Sequence, residues 1–214
     1  QFGEINRYAD KAIAEGTIPP MIIVMPNADS SFYINSFDGK QPYEDFFITE
    51  FIPGIEKTYR IRSAKQFRAV AGLSMGGYGT LIYSLKHPDM FAAAAPLSAA
   101  VFDDSTIVNM PQPGWNVPLG RVYGTDLKGK QRLTSTWYAN SILKIVEKKS
   151  AAVRFWIDCG DDDFLIKGNC LLHIALTEKQ VPHEFRVRDG VHDWNYWRSG
   201  IVDALQFIGK SFHQ

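Results

Sequence analysis

The chain has 214 residues, of which 45% are hydrophobic and 21% charged, and its 23 basic side chains balance 23 acidic ones. That length fits one domain with a sizeable core, and the zero net charge leaves no electrostatic footprint for nucleic acid or an anionic membrane. No apolar run approaches the length of a membrane span. The two cysteines, Cys159 and Cys170, form neither a disulfide framework nor a zinc spacing, so two buried free thiols are expected.

Taken in order, Glu4 to Glu15 carries apolar residues at helical spacing and stops at Gly16. Met21-Ile22-Ile23-Val24-Met25 is a continuous apolar run, which predicts a strand buried on both faces. The polar stretch Pro26 to Ser31 follows, at the strand end where open α/β sheets place ligands. Tyr43 to Tyr59 predicts an amphipathic helix with a kink at Pro53. Phe67 to Ala71 reads as a buried strand, Gly72-Leu73-Ser74-Met75-Gly76-Gly77 as a sharp turn, and Tyr78 to Leu85 as a helix ended by His87-Pro88.

Phe91 to Leu97 is a further apolar strand. From about 99 to 133 the periodicity fades and Pro and Gly punctuate the chain, which predicts an insertion bordering a cleft. Trp137 to Lys148 is helical, Val153 to Ile157 a strand, Asp158 to Asp163 a loop, and Cys170 to Gln180 a helix. His183 to Val187 is a strand, Asp189 to His192 a loop, and Trp194 to Phe212 the closing helix. Strand and helix alternate throughout, so the expected fold is α/β, with a mostly parallel sheet and helices on both faces in a single domain, 1–214.

The turn at Ser74 carries the chemistry. A Ser at the tip of a strand–turn–helix in G-x-S-x-G is exposed at the carboxyl end of a sheet, with a helix N-terminus beside it. Gly72 and Gly76 are expected to keep Cβ atoms out of the crowded positions. A serine hydroxyl needs a base that titrates near neutrality. Of His87, His173, His183, His192 and His213, only His192 lies in a loop directly after a strand. The base in turn needs an acid, and four Asp crowd into 158–163. Asp163, flanked by apolar Phe164 and Leu165, is favoured, with Asp162 as the alternative. The Asp run matches no calcium loop, and no metal site is expected. The order Ser74, Asp163, His192 is that of α/β-hydrolases.

With these residues in place the chain resembles the esterase D-like branch of the α/β-hydrolases. That branch includes tributyrin-type esterases, feruloyl esterases, S-formylglutathione hydrolases and mycolyltransferases. The likeness rests on Ile23 to Asp29, Ala71 to Gly79, Lys86 to Phe91, Asp158 to Leu165 and Gly190 to Trp197. In the family the acid is the Asp three after the Gly, which points to Asp163. One oxyanion donor is the N–H after the nucleophile, here Met75. The other comes from a His-Gly-type loop on an earlier strand, and no such strand precedes Glu4. The expectation is therefore a hydrolase lacking its first strands, with the absent segment present in the intact protein.

The implied function is a serine carboxylesterase acting through an acyl-enzyme on a small-molecule or polysaccharide-linked ester, such as an acetyl or feruloyl ester. It calls for no metal or organic cofactor. Asn27, Trp115 and Trp194 are the expected substrate-binding residues of the cleft wall. An inert hydrolase-fold binding protein, or an acyltransferase to a sugar, are the alternatives.

Overall fold

The structure, a computed structural model, describes residues 3–148 and 152–212. It opens with α1 (Ile5–Ala14), and Gly16, at φ +69°, turns the chain out of it. The helical stretch that follows is assembled from α2 (Tyr43–Phe46), a widened π turn over Phe47–Phe51, and α3 (Ile52–Thr58). Pro53 has no N–H to close a bond to the preceding turn, and the helix accommodates it by widening just before it.

The sheet begins with β1 (Ala69–Leu73), and α4 (Met75–Lys86) starts directly after Ser74, earlier than the periodicity suggested. β2 (Ala93–Leu97) follows. Residues 99–133 then hold three short α-helices, α5 (Asp104–Asn109), α6 (Gln112–Gly114) and α7 (Gly120–Tyr123), with a π turn over Trp115–Leu119 and a 3-10 turn over Gly129–Arg132. Then come α8 (Ser135–Asn140), α9 (Ile142–Lys148), β3 (Arg154–Gly160), α10 (Ile166–Glu178), β4 (His183–Arg188) and α11 (Trp194–Ser211). The four strands are all parallel, in the spatial order β1-β2-β3-β4.

Alternation along the strands sorts side chains to two faces. Ala94, Phe155 and Ile157 pack with Leu81, Ile82 and Leu85 of α4 and Leu172 and Leu176 of α10. Ala93, Ala95, Leu97 and Trp156 pack on the other face with Ala204, Phe207 and Ile208 of α11. Helices thus cover both faces, and every strand points its carboxyl end to one rim. Among the described residues, no helix is long and apolar enough to cross a membrane.

One expected strand is absent. Met21–Met25 forms no strand, and the side chains of 22–25 are exposed, Ile22 at 53% and Met25 at 55%. The physical reason is the sheet edge. Among the described residues no strand pairs with the outer side of β1, and the run stands apart from it with a cavity between, so its backbone reaches no ladder. A cavity of about 1200 Å³ is lined by both Met21–Met25 and β1; it reaches Leu73, Trp194 and Trp197 but stops short of Ser74 and His192.

Segment 99–133 is held together by buried polar contacts of its own. Arg132, only 2% exposed, donates to the carbonyls of Ile107, Met110 and Leu127 and to Gln112 Oε1, at 2.6–3.1 Å. Its guanidinium lies 4.7 Å over the Trp115 ring. Trp115 is therefore the centre of this segment's own packing.

Candidate active site

The site is built from the loops that end β1, β3 and β4. Ser74 sits at φ 55°, ψ −117°, a strained backbone for a residue with a side chain. It is over-determined by its neighbours. Its N–H donates to Leu97 O at 2.9 Å, and its carbonyl accepts from Tyr78 N–H at 3.1 Å and Ala100 N–H at 3.0 Å. The turn closes so tightly that a Cβ on Gly72 would lie 2.4 Å from Gly76 O, and one on Gly77 2.9 Å from Leu97 O. Gly76 itself faces only Tyr33 Oη at 3.5 Å, an ordinary contact. The glycines that the turn requires are thus Gly72 and Gly77, not Gly76.

The β3 and β4 loops are pressed together. A Cβ on Gly160 would stand 2.2 Å from Gly190 O, and Gly190 has φ +150°. Asp162 N–H donates to Gly190 O at 3.1 Å, and Gly190 N–H returns a bond to Asp161 Oδ1 at 3.0 Å. Beneath them, Arg188 grips the fully buried Asp158 with two bonds of 2.9 Å.

This brace brings three side chains into line. His192 Nε2 lies 2.8 Å from Ser74 Oγ, and His192 Nδ1 lies 2.8 Å from Asp163 Oδ2. A carboxylate only accepts, so Nδ1 carries the hydrogen and Nε2 presents its lone pair to the serine O–H. Asp163 is 1% exposed, and its second oxygen accepts Leu165 N–H at 2.8 Å. The other three aspartates are accounted for differently. Asp158 is tied to Arg188, Asp161 holds the loop, and Asp162 points its side chain to solvent. Asp161, Asp162 and Asp189 bring carboxylate oxygens within 4.8 Å of one another, all exposed.

Trp197 packs edge-on against the imidazole at 4.8 Å, with its Nε1 donating to Ser98 Oγ at 3.0 Å. Sequence reading did not single it out as a site residue, although its position five after His192 in the closing helix was a usable signal. The Met75 N–H lies in the first turn of α4, beside Ser74, where helix amides have no intrahelical partner.

The three expected substrate-binding residues fare unequally. Trp194 is 37% exposed and packs edge-on against Trp197 at 5.2 Å, near the site. Asn27 is exposed, but its Oδ1 accepts Asp29 N–H at 3.0 Å within its own loop. Trp115 is 0% exposed and donates from Nε1 to Gly124 O at 2.8 Å, so it offers no surface to a substrate. Of the remaining histidines, His87 binds Glu44, His173 and His183 bind each other, and His213 lies outside the described residues. Both cysteines are free; Cys159 is buried as expected, whereas Cys170 is only partly covered.

Known proteins resemble this chain over most of its length. The chain is 27% identical over 194 residues to an acetyl esterase of Caldicellulosiruptor saccharolyticus, covering 88% of this chain and 71% of that protein. It is 30% identical over 190 residues to the esterase MT1326 of Mycobacterium tuberculosis, covering 81% of this chain but spanning only 42% of that protein. Among solved structures, a ferulic acid esterase superposes with a TM-score of 0.81 at 34% identity, over 99% of this chain and 79% of that one. The sequence model of the Esterase family, described as "Putative esterase", matches residues 1–208. The chain therefore belongs to the Esterase family of α/β-hydrolases.

Proposed function

We propose that this esterase works by a serine mechanism, with Ser74 as nucleophile, His192 as general base and acid, and Asp163 as the group that orients the imidazole. The single observation that carries the reading is the continuous relay of two 2.8 Å contacts from Asp163 through His192 to Ser74. His192 Nε2 takes the hydroxyl proton as Oγ attacks the ester carbonyl. The developing oxyanion is met by the Met75 N–H at the start of α4, where the helix dipole favours negative charge. The imidazolium, held by the buried Asp163 carboxylate, then passes its proton to the departing alcohol. An acyl-enzyme on Ser74 remains, and water activated by the same imidazole releases the acid.

The chain's likeness to an acetyl esterase and a ferulic acid esterase supports acetyl and feruloyl esters as the acyl class, on a small molecule or a polysaccharide. Ser74→Ala tests the mechanism. Turnover of p-nitrophenyl acetate should fall by at least about 10³-fold, and covalent labelling by a fluorophosphonate should vanish. Undiminished turnover by the variant would reject the nucleophile. A panel of acetyl, butyryl and feruloyl esters then ranks the acyl groups.

A further inference from the structure

We propose that Phe164 forms a subsite for the alcohol half of the ester, and that this half is an uncharged ring lying face-on against the phenyl group. The inference rests on the serine mechanism above. In that mechanism the proton on His192 Nε2 goes to the leaving oxygen, so the alcohol must depart within hydrogen-bond reach of the imidazole. The acyl half stays on Ser74, and its oxyanion turns toward α4. Side chains around the imidazole therefore meet the alcohol and not the acid.

Two aromatic rings flank His192. Trp197, at 4.8 Å, is 7% exposed and belongs to the core under α11. Phe164, at 4.6 Å and tilted 50°, is 74% exposed. Nothing in the packing explains a phenyl left so open. Its neighbours Asp163 and Leu165 are 1% and 3% exposed, and their side chains are drawn inward. The turn is pinned by Leu165 N–H on Asp163 Oδ1 at 2.8 Å and Ile166 N–H on Asp163 O at 2.9 Å. Phe164 is thus held outward by two anchored neighbours, with one side of its ring toward the imidazole and the rest in water.

It is not a lone exposed apolar residue. Val191 and Trp194, on either side of His192 in sequence, are 47% and 37% exposed. Apolar surface gathered on the loops that carry a reacting group marks a binding site more than chance exposure does. The charge nearby is acidic and exposed, in Asp161 and Asp162 of the same turn and Asp189 of the facing loop. That rim disfavours an anionic alcohol and can accept bonds from hydroxyls. A flat C–H or aryl face against Phe164 satisfies both conditions, so an aryl alcohol and a pyranose share the recognised chemistry.

The experiment holds the acyl group constant as acetyl and varies the alcohol: ethyl, cyclohexyl, phenyl and a methyl xylopyranoside. For Phe164→Ala, KM should rise about tenfold on the three ring esters and less than twofold on the ethyl ester. Phe164→Tyr should retain the wild-type ring preference. The pH profile of kcat/KM should not move, and deacylation, which follows loss of the alcohol, should keep its rate. A preference lost for phenyl but not xylopyranosyl, or the reverse, tells the two ring sources apart. An equal loss on all four esters, or a shifted pH profile, would overturn the proposal by making Phe164 a support for the imidazole. Loss confined to no ester would overturn it as well. Fluorophosphonate labelling, which expels only fluoride, keeps the two readings distinct. Failure of wild-type labelling refutes the serine mechanism, whereas normal labelling with no alcohol discrimination refutes only the subsite.

Discussion

Replacing Asp163 with Asn probes the relay at its most constrained point. The wild-type carboxylate has one oxygen on Leu165 N–H and the other on His192 Nδ1, each at 2.8 Å, in a site 1% exposed. An amide in that place must keep its oxygen on Leu165, because an NH2 facing an N–H is repulsive in a site closed to solvent. Its NH2 then faces His192 Nδ1, which can accept that bond only if the ring hydrogen moves to Nε2. The imidazole now points an N–H at Ser74 Oγ and cannot take the serine proton. A base locked in the wrong tautomer costs about 10⁴-fold in kcat, or about 5 kcal/mol of barrier. KM should hardly change, since Asp163 lies behind His192. Initial rates of p-nitrophenyl acetate hydrolysis from pH 6 to 9 measure the loss, with a urea melt to show that the variant is folded. Asp162→Asn, at the exposed neighbour, should stay within about twofold of wild type. A folded Asp163→Asn enzyme within tenfold of wild type, or an equal loss in Asp162→Asn, would refute the reasoning.

Three other outcomes follow from the same geometry. Arg188→Met leaves the fully buried Asp158 carboxylate without its partner; the part-exposed Arg188 places the cost at the lower end of the range for a broken buried pair, about 3 kcal/mol by urea unfolding. Asp103 caps α5 through Thr106 N–H at 2.7 Å and binds Lys167 at 2.8 Å. Burial pushes its carboxyl up, but the bonds from Lys167 and Thr106 outweigh it and bring it down to about 2. The folded value lies below the unfolded one, so the stabilisation is whole above about pH 4 and is lost as pH falls toward 2. Asp103→Ala should cost about 1 kcal/mol at pH 7, and its deficit against wild type should close over that acid window in thermal melts. Finally, burial raises the Cys159 thiol to about 12. Iodoacetamide at pH 8 should leave Cys159 unmodified in the native protein and reach it after urea, as peptide mass mapping would show.

What was legible in the sequence is whatever local chemistry dictates. A strand, a glycine-bounded turn and a helix place Ser74 at the sheet rim. The strand, expected to be buried from Phe67, begins at Ala69, and as the sheet edge it has no fully buried residue. The loops after later strands are where an acid and a base can approach Ser74. Asp163 was favoured over its neighbours for its apolar flank of Phe164 and Leu165; Leu165 is buried with it, whereas Phe164 turns outward and covers nothing of the carboxylate. Tertiary context decided the rest. Met21–Met25 has the composition of a central strand, yet a strand exists only where a neighbour accepts its ladder. Trp115 looked like a cleft residue because its surroundings lack periodicity. No pattern in the chain announces that Arg132, many residues later, gathers three carbonyls and roofs that indole. Gly77 outranks Gly76 for the same kind of reason, since its constraint comes from Leu97 on the next strand.

Among the described residues, β1 is a sheet edge that faces the apolar run 21–25 across a cavity. An extended segment that entered that cavity would meet both a ladder to pair with and the side chains of Ile22, Ile23 and Val24 to pack on.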